Sequence, residues 1–236
     1  GISRLAGLAA GWFFGANRAG LPTYDRATGV TFDGVEADGR LNRNSGAEST
    51  IHGLLTMQVL DAAPELARLA RASARIAVRD GLVVFEAEDA ALTGDAAVLT
   101  PDPAWTGESL WSGKQVVAGP GSTLTWTLPS GSEALLVQPV LALTHGSQAQ
   151  VRFKAHNRTL GRVRVGDVGP QGDAASPFRL TPVALDGLAN AGSTVTATVR
   201  GAGTARLDAL LVMPEIARLA ASGSTGPVVV LTSKSH

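Results

Sequence analysis

Cysteine is missing from this 236-residue chain, and with it go disulfides, thiolate nucleophiles and cysteine-ligated zinc or iron–sulfur centres. An excess of charge of one sign is missing too. Twenty basic and twenty acidic side chains cancel, so no long-range field favours nucleic acid or an anionic membrane as a primary partner. No apolar run approaches the length that crosses a bilayer. The phosphate-cradling loop of nucleotide enzymes, the nucleophile elbow of hydrolases and the zinc-binding helix of metalloproteases are all absent. Lysine is scarce, occurring only at Lys114, Lys154 and Lys234. Arginine carries the remaining positive charge, and with abundant Ala and Gly this bias suggests a GC-rich bacterial genome. What is present suffices for a packed core: 44% of residues are hydrophobic and 17% charged, over a length that permits one or two domains. Gly1-Ile2-Ser3-Arg4 opens directly into an amphipathic stretch, without a signal-peptide pattern.

Two textures meet near residue 80. Before it the apolar period is helical. Ile2, Leu5, Leu8, Ala9 and Trp12 make one stripe, and Ile51, Leu54, Leu55 and Val59 a second. Pro64 suits the first residue of a third helix, whose Leu66 and Leu69 face away from Arg68, Arg71 and Arg75. The long connection from Gly15 to Asn44 holds turn pairs Asp33-Gly34 and Asp38-Gly39, and Tyr24 to Phe32 reads as a small hairpin. After residue 80 the period falls to two. Leu124, Trp126 and Leu128 alternate with Thr123, Thr125 and Thr127, which places Trp126 in a core. Strand-like runs at 83–90, 122–128, 134–143, 149–157, 160–166, 178–185, 193–200 and 206–213 predict an antiparallel sandwich. The tail reads as a short helix at 215–221 and a strand at 228–231. The predicted domains are therefore a helical segment, 1–80, a β-sandwich, 81–215, and a C-terminal tail, 216–236.

Within the sandwich, Glu86 and Glu88 would share one face of a strand, where like charges repel unless something compensates them. Asp208 lies in the otherwise apolar run Leu207-Asp208-Ala209-Leu210-Leu211-Val212, where a carboxylate is costly unless paired or metal-bound. A hard cation with oxygen ligands would answer both, and calcium best tolerates irregular carboxylate geometry. The plainer alternative is a set of exposed strand carboxylates balanced by Arg206 or Arg179. Trp105 and Trp111 lie in the Gly-containing stretch 105–114. An exposed indole there offers a flat apolar face to a pyranose, with Glu108 and Lys114 as partners for its hydroxyls; equally, either indole could plug the sandwich core. Asn157-Arg158-Thr159 matches a glycosylation sequon, and His145 and His156 read as surface residues at strand ends.

The Glu86-Ala87-Glu88-Asp89-Ala90 opening and the Leu207-Asp208-x-Leu210-x-Val212 closing strand resemble the bookends of family 6 and family 35 carbohydrate-binding modules. That resemblance implies a jelly-roll β-sandwich, a structural calcium ion held by Glu86, Glu88 and Asp208, and a glycan as partner. The stretch 105–114 departs from the family's usual Gly-Tyr-x-Gly-Gly-Tyr-Val wording, so no particular sugar carries over.

In the helical part, Ser45 and Glu48 fit a capping box. Asn42, Asn44, Glu48 and His52 also gather at that helix end, as a glycan cleft would require. Gly11-Trp12-Phe13-Phe14-Gly15-Ala16-Asn17, Tyr24-Asp25, Asp33-Gly34 and Asn44-Ser45-Gly46-Ala47-Glu48-Ser49-Thr50 resemble the closing hairpin of bacterial (α/α)-toroid glycosidase-like domains. This implies Asp33, Asp38, Asn44 and Glu48 lining a cleft, with Glu48, Asp33 and Asp38 as candidate catalytic carboxylates and the rest of the toroid preceding Gly1. Glycoside hydrolysis ordinarily needs two carboxylates across the bond. The expectation is the C-terminal part of a secreted or cell-surface bacterial glycoside hydrolase-like protein acting on a polysaccharide. A stand-alone sugar-binding module and a purely structural sandwich are the competing readings.

Overall fold

A computed structural model describes residues 2–36, 38–100, 114–131, 133–168 and 179–233. The chain divides into two compact units, one drawn from residues 1–80 and 216–235 and the other from 81–215.

The first unit begins with α1 (Ile2–Ala10), which runs into a 3-10 turn at Gly11–Phe14. The connection that follows is ordered by Tyr24 bridging Thr31 and by a two-stranded ribbon, β1 (Gly34–Val35) with β2 (Leu41–Asn42). Then come α2 (Ala47–Ala62), α3 (Pro64–Ala72) with Pro64 in its first turn, and β3 (Arg75–Arg79). The helices form where the period predicted them, but their large apolar stripes do not face inward. Ile2, Leu5, Ile51, Leu55 and Val59 are all more than half exposed. Where α1 meets α3 the packed faces are made largely of small residues instead, while Leu60 of α2 closes the same cluster. A Cβ on Gly7 would stand 3.2 Å from Leu66 and Leu69, and one on Gly11 would collide with Ser73. Ala67 and Ala70 are buried. Backbones of α1 and α3 therefore approach closely, which only residues without long side chains allow.

The second unit is a β-sandwich. Its strands are β4 (Val83–Glu86), β5 (Ala91–Thr93), β6 (Ala96–Leu99), β7 (Gln115–Ala118), β8 (Thr123–Thr127), β9 (Ala134–Leu143), β10 (Gln150–Ala155), β11 (Arg158–Arg164), β12 (Arg179–Pro182), β13 (Ala189–Asn190), β14 (Thr194–Arg200) and β15 (Ala205–Pro214). One sheet has the order β11-β10-β14-β8-β5; the other has β12-β9-β15-β7-β6, with β13 added on β9 and β4 on β15. Every pairing is antiparallel. Alternation sends Leu124, Trp126, Val151, Phe153, Val195, Ala197 and Val199 of the first sheet into one core with Val116, Leu141, Leu207 and Leu210 of the second. Trp126 is core, as its alternation predicted.

The chain then returns to the first unit as β16 (Ile216–Gly223) and β17 (Gly226–Ser233). The expected helix at 215–221 is thus a strand, paired with β3 on one side and β17 on the other. The tail is part of the helical unit rather than a separate appendage. Thr225 Oγ1 donates to the Arg68 carbonyl at 2.7 Å, and Arg218 pairs with Asp80 at 3.4 Å.

Candidate functional site

The second unit's last strand has a seam. Along one edge of β15, Ala205, Arg206 and Leu207 pair with β7, while Ala209 to Val212 pair with β4. Along the other edge the register with β9 slips between Leu207 and Ala209. Asp208 is the residue left over, a β-bulge at the point where β7 ends and β4 begins. Bulges re-aim a side chain that strict alternation would send elsewhere, and here Asp208 is buried, at 7% exposed.

Three other groups reach this seam. Glu86 closes β4 opposite Ala209. Glu88 is not on the strand as expected but in a 3-10 turn, Ala87–Asp89, because the strand ends at Glu86. Turn and strand nevertheless bring both glutamates into the field of Asp208. Burial first, then the Glu86 charge and more weakly Glu88, push the Asp208 carboxyl up to about 6, against a smaller downward pull from Gln115. Gln115, the first residue of β7, is fully buried and faces Asp208 without completing a hydrogen bond of good geometry. Glu88 Oε1 accepts the Lys114 amide at 2.7 Å, and the Trp126 indole donates to the Glu86 carbonyl at 3.0 Å, so the core itself clamps the turn. Glu88 Oε2, Asp208 Oδ1 and both polar atoms of the Gln115 amide are buried with no hydrogen-bond partner.

Orphaned buried oxygens beside like charges are what an oxygen-seeking cation would relieve. By chemistry the donor set fits calcium. By position it is incomplete: among the described residues no three His, Asp or Glu side chains stand close enough to enclose an ion. Gln115 was not foreseen, although a polar side chain heading the apolar run Gln115-Val116-Val117-Ala118 is the same signal that singled out Asp208. Of the expected sugar-contacting residues, Trp105, Glu108 and Trp111 lie outside the described residues; Lys114 is exposed beside the Glu88 turn.

In the helical unit two of the three expected carboxylates, Asp33 and Asp38, serve local structure. The capping box does not form: Gly46 is the N-cap of α2, and Ser45 bonds Thr50 instead. Asp33 does the capping from thirteen residues upstream, accepting the Gly46 amide at 2.7 Å, and this bond, together with one from the Ser49 side chain, holds its carboxyl below the usual range. Asp38 is held lower by Arg40, whose Nε donates at 2.6 Å. Asn44, Glu48 and His52 are exposed, and Asn42 accepts the Asn44 amide.

No protein-family model and no curated protein matches the chain. Solved structures do resemble it. A family 35 carbohydrate-binding module from Clostridium thermocellum is 18% identical, over 56% of this chain and 97% of that one, with a TM-score of 0.41. The GH26-CBM35 β-(1,4)-mannanase of Podospora anserina is 24% identical, over 58% of this chain and 28% of the enzyme, with a TM-score of 0.41. A family 6 module from Clostridium stercorarium, solved with cellobiose, is 11% identical over 56% and 93% of the two chains, with a TM-score of 0.40. The sandwich rests on the sheets described above, and the toroid likeness of residues 11–56 finds no support in these comparisons.

Proposed function

We propose that residues 81–215 are a carbohydrate-binding module, braced by calcium at the closing-strand seam, in a secreted or cell-surface bacterial protein that acts on polysaccharide. One observation carries the reading. The first strand, the turn after it and the last strand, the segments whose wording resembles families 6 and 35, meet at the bulge of Asp208, where Glu88 and Gln115 bury oxygens without partners. Glu86, Glu88 and Asp208 would hold the ion once their side chains draw together around it, and the ion would supply the positive charge that lets three carboxylates stay ionised together. The stretch 105–114, attached to the seam through Lys114, is the proposed glycan contact. Nothing in the bonding of Asp33 or Asp38 suits a general acid, since both are held charged. For residues 81–215 the proposal is one of binding.

Calcium titration of the full chain tests it. A ligand bound only to the native state adds about 2.7 kcal/mol at one hundred times its Kd. For a domain of this size that raises Tm by roughly 10 °C. Asp208→Ala should abolish the rise. A glycan array should then show binding that Trp105→Ala or Trp111→Ala weakens. No calcium shift, together with an empty array, would leave a structural sandwich.

A further inference from the structure

The outward face of the five-stranded sheet carries positive charge that no ion pair balances among the described residues. Strand register sets its rows. Gln150 stands between Arg164 of β11 and Arg200 of β14. Arg152 stands between Arg162 and Thr198, and that row continues through Thr123 to Thr93. Lys154 stands between Thr159 and Thr196, which faces Thr125. These side chains share the outer face because the residues alternating with them, Val151, Phe153, Val163, Val195, Ala197 and Val199, are all buried. Half of the face is therefore cationic, with Arg152, Lys154, Arg162, Arg164 and Arg200. The other half is a lattice of threonine hydroxyls, with Thr93 bonded to Thr123 and Thr125 to Thr196.

No acidic side chain occupies any of these positions. All five cations are exposed, and among the described residues none of them forms an ion pair. Arg152 and Arg162 lie directly opposite each other, an arrangement that destabilises a sheet when nothing compensates it. Strand spacings of about 4.8 Å across and about 6.7 Å per two residues along put the five charges in a patch of roughly 10 by 13 Å. A cavity of about 330 Å³, lined by Gly146, Gln148, Arg164 and Asp167 among others, continues the face past the Arg164 row.

We infer that the cross-strand Arg/Lys rows of β10, β11 and β14, with the adjoining threonine lattice, form a docking face for an anionic polysaccharide, one carrying carboxylate or sulfate groups on a hydroxylated chain. Guanidinium forks take such oxyanions bidentately, and the anions relieve the Arg152–Arg162 repulsion. The threonines exchange hydrogen bonds with sugar hydroxyls. Among the described residues no aromatic ring stands on this face to stack a nucleic-acid base, and no large apolar side chain to enter lipid. The face lies on the opposite sheet from the Asp208 seam and does not depend on that site being filled.

Electrophoresis of the full chain through gels holding polygalacturonate, dextran sulfate or neutral dextran tests the inference. Retardation by a charged polymer and not by the neutral one is expected, fading as salt screens the contacts. The polygalacturonate and dextran sulfate lanes separate carboxylate from sulfate preference. Arg152→Gln/Arg162→Gln should weaken the retardation by roughly tenfold or more while leaving Tm unchanged or raised. Arg164→Gln/Arg200→Gln gives a second reading through a different row. Asp208→Ala should lose the calcium response yet keep the retardation, so failure of this inference and failure of the seam are told apart. Equal retardation by neutral dextran, no loss in either double variant, or tighter binding to single-stranded DNA or phosphatidylserine vesicles than to any polysaccharide would overturn it.

Discussion

Asp208 shows how one residue can carry conflicting demands. Its neighbours Leu207, Ala209 and Leu210 are core residues, so the bulge that turns its carboxylate inward places a charge where apolar atoms belong. Burial and the two glutamates then raise its pKa from 3.8 to about 6. A group whose folded pKa is raised holds its proton more tightly in the native state. Its contribution to stability is complete below the unfolded value and is lost as pH rises through about 6. Chelated protein should therefore melt at lower temperature at pH 7.5 than at pH 4.5, as far as this group decides. Calcium should invert that order, because the ion needs the ionised carboxylate. Asp208→Asn separates the two effects: it should raise Tm in chelator at pH 7.5 and remove the calcium response. Melting curves at both pH values, with and without calcium, check this, and a pH-independent Tm in chelator would mean that the seam is more solvated than its burial implies. The sequence made Asp208 legible because a carboxylate in an apolar strand is conspicuous. It could not reveal the bulge, since register slips depend on partner strands.

At the scale of elements, period located the helices and most strands but not always what they face. Helix α2 reads as amphipathic through Ile51, Leu54, Leu55 and Val59, yet those side chains are exposed, and the helix packs on the chain through Gly53, Met57 and Leu60. A Cβ at Gly53 would run into the buried Thr31 side chain. Gly53→Ala should gain about 1 kcal/mol in helix propensity and lose about 1–3 kcal/mol to overpacking, for a net loss in denaturant unfolding. Leu55→Gln, on the exposed side, should stay within about 0.5 kcal/mol. The reverse ranking would show that α2 packs by its large residues after all. Strands β5 and β6 escaped notice because each is short, partly alanine, and cut from the other by Gly94-Asp95. In β16, Ile216-Ala217-Arg218-Leu219-Ala220-Ala221 has the composition of a helix; pairing with β3 and β17 overrides that preference.

At the scale of the whole chain, the sandwich is an insertion between two neighbouring strands. The backbone leaves the helical unit after β3 and re-enters it at β16, the strand to which β3 is paired. Residues 1–80 therefore lack, on their own, the partner that satisfies the amides and carbonyls of β3, and α3 lacks the hairpin that meets it through Thr225 and through the close approach of Gly223 to the Arg71 carbonyl. Three helices joined through small residues bury too little apolar area to stand without that support. Removing residues 216–236 should thus leave the helical circular-dichroism signal weak and without a cooperative melt. The sandwich holds its own core, and β15, its last strand, ends at Pro214. Its transition should survive the truncation within a few degrees, read by the fluorescence of the buried Trp126. In the intact chain the helical signal should melt cooperatively. If the truncated chain kept that cooperative helical melt, the terminal hairpin would be ornamental, and residues 1–80 would be a domain in their own right.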